Sequence, residues 1–112
     1  MGEVLTALQF QTEVKRIARF EPVQAVENPL ADAIGRIKAN PALAQSRILG
    51  RFLSALADGQ GEFRRAEASA LDSATLRLAV ALMSAEQAGT RTRREWMDAA
   101  GAAHAARLDA DR

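Results

Sequence analysis

Alanine occupies 25 of the 112 positions, while tyrosine is absent and four phenylalanines and one tryptophan supply all the aromatic bulk. Side chains this small favour helix, and β-branched residues are scarce, so the chain is constrained toward closely packed helices. Enough apolar surface remains to build a core, because 48% hydrophobic against 26% charged residues is ordinary for a globular chain and too apolar for a disordered one. The length suits one core rather than two. The expected fold is therefore all-α, a compact bundle of five to six helices with short connections. It forms a single helical domain over residues 1–108, followed by a frayed tail over 109–112.

Local signals divide the chain. From Glu3 to Phe20 the apolar residues Val4, Leu8, Phe10, Val14, Ile17 and Ala18 fall on a broad helical face, with Glu13, Lys15, Arg16 and Arg19 elsewhere. Glu21-Pro22 ends this segment, since the residue before a proline is pushed out of the α region, and a linker runs to Glu27. Asn28-Pro29 starts the next helix: asparagine caps free N–H groups, and proline tolerates the first helical position. Asn40-Pro41 repeats the device, closing that helix and opening a longer one that carries Leu43, Ile48, Leu49, Phe52, Leu53 and Leu56. Asp58-Gly59 stops it.

Glu62 to Ala70 reads as a further helix or the first part of a longer one, with Asp72 as a fresh N-cap flanked by a Leu71–Leu76 staple. The helix that follows, Leu76 to Met83, is apolar on nearly all sides and so marks the central element. It ends at Gly89. Thr92-Arg93-Arg94-Glu95 has the spacing of a capping box and opens the last helix, whose Ala99, Ala100, Gly101, Ala102 and Ala103 let a neighbouring backbone come close.

Charge and composition narrow the function without naming it. Fifteen basic against fourteen acidic residues leave +1, far from the excess of a nucleic-acid or membrane-surface protein. Without cysteine there is no disulfide or thiolate chemistry, which fits a reducing, cytoplasmic setting. The N-terminus has no signal-peptide pattern, and the longest apolar run, Leu78 to Met83, is far too short to span a membrane.

His104 is the one side chain that titrates near neutrality, and its helical neighbours Ala100, Gly101, Arg107 and Leu108 offer no second ligand or acid. No serine lies in a nucleophile elbow, and Asp58-Gly59-Gln60-Gly61 lacks the remainder of a phosphate loop. No catalytic residue, cofactor or metal is expected. A helix-turn-helix reading of Arg64 to Ala81 fails, because the recognition helix would be too apolar to read bases.

What remains are the candidate contact residues Arg91, Arg93, Arg94, Trp96 and Gly101. Arginines at a helix N-terminus oppose the helix dipole and suggest an anion or an acidic partner. Tryptophan is enriched at binding hot spots, and glycine in a helix interior suggests a close approach. The expected function is a non-enzymatic helical protein acting on a protein partner or as a homo-oligomer. The alternative is a DNA- or RNA-binding regulator that presents Arg64, Arg65, Arg91, Arg93 and Arg94 on one face.

Overall fold

The computed structural model describes residues 3–21 and 26–110, which form six helices and one two-stranded sheet. In order these are β1 (Val4–Thr6), α1 (Ala7–Ala18), α2 (Pro29–Ala39), α3 (Ala44–Asp58), β2 (Glu62–Arg64), α4 (Arg65–Ser69), α5 (Ser73–Ala88) and α6 (Arg93–Ala110). The all-α bundle expected from the alanine-rich sequence is present, and its helices enclose one contiguous cluster of buried residues.

Strands replace helix at two places. Val4 pairs with Arg64, Leu5 with Phe63 and Thr6 with Glu62, antiparallel, so the helices predicted from Glu3 and from Glu62 each begin one strand later. Leu5 and Phe63 point inward and their neighbours outward, but three residues of alternation are too few to distinguish a strand period from a helix period. Val4 and Leu8, placed on the core face by the helical reading, are 54% and 73% exposed. Phe10 and Val14 are fully buried as expected.

Most of the predicted caps are made. Asn28 accepts from the Ala31 N–H, Asp72 from the Thr75 N–H at 2.7 Å, and Thr92 and Glu95 bond reciprocally. Asn40-Pro41 is the exception. The Asn40 N–H still bonds back to the Arg36 carbonyl, so Asn40 closes α2, and α3 starts only after a turn, at Ala44, without a side-chain cap, which leaves Leu43 outside the helix and exposed. Gly59 ends α3 in the left-handed conformation at φ 75°, and Gly61 follows at φ 150° with the Phe63 ring 3.1 Å from where a Cβ would stand. Pro22 and the next three residues of the expected linker lie outside the described residues.

The core is organised by three phenylalanines. Phe10 of α1 stacks on Phe63 of β2 with centroids 4.1 Å apart and meets Phe52 of α3 edge-on at 6.0 Å. Around them α5 packs on α1, α2 and α3, burying Leu76, Leu78, Leu82 and Met83 as the central element its sequence suggests. α6 lies on α3 and α2 through Trp96, Ala99 and Ala103. A Cβ added at Gly50 of α3 would stand 3.7 Å from the Ala103 Cβ, so small side chains on both helices bring these two backbones together. Among the described residues no helix is long and apolar enough to cross a membrane.

Candidate functional site

The five candidate residues occupy the turn before α6 and the start and middle of that helix, and the capping box decides how they are presented. The Glu95 N–H donates to Thr92 Oγ1 at 3.1 Å, and the Thr92 N–H donates to Glu95 Oε1 at 3.2 Å. The backbone bond from Thr92 holds the Glu95 carboxyl below the usual carboxylate range, with Arg91 adding at 3.4 Å. Glu95 thus offsets part of the cationic charge at a helix end where the dipole opposes it. Arg93 and Arg94 stay exposed beside it.

Trp96 does not join them on the surface. It is 5% exposed and packed into the core, which corrects its reading as a surface anchor. The cause is helical phase, because Trp96, Ala99 and Ala103 share the face that α6 turns toward α3 and α2. Gly101 lies on the opposite face, with no atom within 4 Å of where its Cβ would be. The close approach inferred for Gly101 is therefore made inside the chain by Ala99 and Ala103 instead, and Gly101 remains open to solvent.

The outward face of α6 is a stripe at spacings of four, three and four: Met97, Gly101, His104 and Leu108, all exposed, with Met97 at 46% and Leu108 at 52%. This is the spacing of a helix–helix seam, and over eleven residues it runs about 16 Å. His104 also borders a small cleft whose lining carries Ser46, Ser54, Arg47, Arg51 and Arg107 but no carboxylate. Among the described residues no three His, Cys, Asp or Glu side chains gather as a metal site.

The arginines of the nucleic-acid reading divide between different elements of the fold. Arg64 and Arg65 belong to β2 and α4, which pack on β1 and α1, whereas Arg91, Arg93 and Arg94 belong to α6 and the turn before it. Arg65 is already committed, donating to Glu3 and to the buried Glu13 at 2.7 Å each. Arg16 binds the same Glu13, and its hydrogen bond, aided by Arg65, outweighs burial and holds that carboxyl below its ordinary range.

Sequence reasoning missed Arg51. This α3 side chain bonds the Glu67 carboxylate and the Glu62 carbonyl, and its guanidinium lies 4.9 Å from the Phe63 ring centroid. No signal near Arg51 in the sequence points to Glu67. The pair forms only because the Gly59–Gly61 turn folds β2 and α4 back along α3.

No family model, no curated protein and no solved structure matches the chain.

Proposed function

We propose that this protein is a non-enzymatic helical protein that acts by pairing with a second copy of itself through the outward face of α6. The observation that carries this reading is the Met97-Gly101-His104-Leu108 stripe, left uncovered on a helix whose other face is fully used. The stripe is self-complementary. In an antiparallel two-fold pair, Met97 meets Leu108 of the other copy, and His104 enters the notch above Gly101, so the bulk at one end matches the gap at the other. Glycine inside an otherwise strong helix former costs about 1 kcal/mol relative to alanine, and the open space around Gly101 leaves an intermolecular contact as the use for it. The arginines offer less, because Arg65 and Arg91 are engaged by carboxylates. A cytoplasmic location, expected of the cysteine-free sequence, belongs to the same proposal.

Sedimentation equilibrium over a wide concentration range tests it. The expected result is a molar mass rising from 12.0 kDa toward twice that value, and a return to the monomer in Leu108→Glu. Gly101→Leu separates assembly from folding: its melting temperature is expected to hold or rise, since leucine is the better helix former, while the dimer weakens. A monomer at every concentration, or a dimer indifferent to both substitutions, would sink the proposal.

A further inference from the structure

One face of α5 forms the floor of a cleft of about 390 Å³ that the α6 interface does not touch. Val80, Ala81 and Ala85 recur there at helical spacing, and Ala18 at the end of α1 with Val26 and Pro29 at the entry to α2 form the facing wall. Glu27, Ser84, Thr90 and Arg91 also line the cleft, and one of this volume with a mixed apolar and charged lining suits a small amphiphilic molecule. Two half-buried side chains of opposite charge, Arg77 and Glu21, belong to the lining.

Both are held by Ser73. Arg77 Nε donates to the Ser73 carbonyl at 3.2 Å, and Ser73 Oγ donates to Glu21 Oε1 at 3.0 Å. Yet the two make no ion pair with each other, although Arg16, Arg36, Arg51, Arg65 and Arg91 all pair with a carboxylate. The terminal nitrogens of Arg77 and the second oxygen of Glu21 are thus uncommitted, in one cleft and linked through Ser73. A guanidinium takes a carboxylate, and a carboxylate takes an ammonium.

We propose that this cleft binds a free α-amino acid with an apolar side chain, its carboxylate on Arg77, its ammonium on Glu21 and its side chain along Val80, Ala81 and Ala85. Each charge placed in the cleft then has a partner, which a fatty acid or an aliphatic amine cannot achieve for both Arg77 and Glu21.

The test follows amide chemical shifts during titration with leucine, with 4-methylpentanoate, which lacks the ammonium, and with isoamylamine, which lacks the carboxylate. Leucine is expected to give saturable shifts along α5 and to bind at least about tenfold more tightly than either analogue, a difference of about 1.4 kcal/mol. R77Q should remove the advantage of leucine over the amine, and E21Q its advantage over the acid. Each variant serves as the check on the other should one fail to fold. Absence of saturable leucine binding, equal binding of all three compounds, or leucine affinity unchanged in both folded variants overturns the assignment.

Discussion

The two strand–helix units, β1–α1 and β2–α4, start alike and are stabilised differently. In each, an outward-inward-outward strand places one large apolar residue in the core, Leu5 or Phe63, and these two are partners in the sheet. In each, the last strand residue bonds through its backbone N–H to the side chain three residues on, Thr6 to Gln9 at 2.9 Å and Arg64 to Glu67 at 2.8 Å. Beyond that point they diverge. α1 runs 12 residues and buries Ala7, Phe10, Val14 and Ala18, whereas α4 runs five and buries only Ala68.

A helix of one turn and a half cannot hold itself by propensity, since helix nucleation is unfavourable and each added residue contributes little. α4 is instead clamped from outside by charge: Glu67 is tied to Arg51 of α3, and Arg65 to Glu3 and to Glu13 of α1. The longer helix relies on apolar burial, and the shorter one on ion pairs between elements.

The largest expected effect strikes what both units share. Phe10→Ala removes the ring that stacks on Phe63 and touches Phe52, and it should cost about 3–5 kcal/mol, enough to unfold much of so small a protein. Urea denaturation gives the value, and a cost under 1 kcal/mol would mean that the phenylalanine cluster does not join the units.

Next comes the clamp. Arg51→Met keeps most of the side-chain volume but leaves Glu67 half-buried with only the Arg64 N–H, and should cost roughly 1–2 kcal/mol. The double variant with Glu67→Gln should recover part of that loss, because no charge is then left unpaired. Equal stability of the single and double variants would show that the pair is not coupled.

Acid should distinguish the units as well. Burial raises the Glu67 carboxyl, but Arg51 and the Arg64 N–H outweigh it, so its pKa in the folded protein lies below the ordinary carboxylate value of about 4.3. A depressed folded pKa contributes stability that is present above the unfolded value and is lost as pH falls through the folded one. The stability gap between the native protein and Glu67→Gln should therefore be widest above about pH 5 and narrow as pH falls below the ordinary carboxylate range. The same measurement on Gln9→Ala should give a gap that does not change with pH, since an amide does not titrate. A Glu67 gap independent of pH would break the distinction.

The smallest effect is expected at the neutral cap. Thr6→Ala removes the acceptor for the Gln9 N–H and should cost about 1 kcal/mol, read from the melting temperature. A loss as large as that of Arg51→Met would mean that α1 depends on its start as strongly as α4 does.

Legibility in the sequence follows the range of each interaction. Asn28, Asp72 and the Thr92–Glu95 box are read correctly because an N-cap bonds a backbone group only two or three residues ahead. Leu71 and Leu76 are both buried, as a staple across Asp72 requires. The apolar run of α5 identifies the central helix, since a helix apolar on nearly all sides is best accommodated among other helices. Of the candidate contact residues, Arg93 and Arg94 are exposed, and Gly101 is open to solvent rather than pressed against a neighbouring helix of the chain. Sequence reasoning misplaced Trp96, because tryptophan suits a hot spot and a core equally and only the neighbours of α6 decide between them.

By itself the sequence determined the helical segments, the caps at Asn28, Asp72 and Thr92–Glu95, and the glycine stops at 59 and 89, all of which rest on bonds within a turn or two of chain. Tertiary structure alone decided that Val4–Thr6 and Glu62–Arg64 become strands, because a strand needs a partner for its backbone groups and that partner lies in the other half of the chain. It also decided which face of α6 stays open, that Arg51 meets Glu67, and that Arg77 and Glu21 are both held by Ser73 without pairing. Each depends on how one helix is rotated against another, a choice set by the packing of Phe10, Phe52 and Phe63 and by the close approach of α3 to α6 at Gly50 and Ala103.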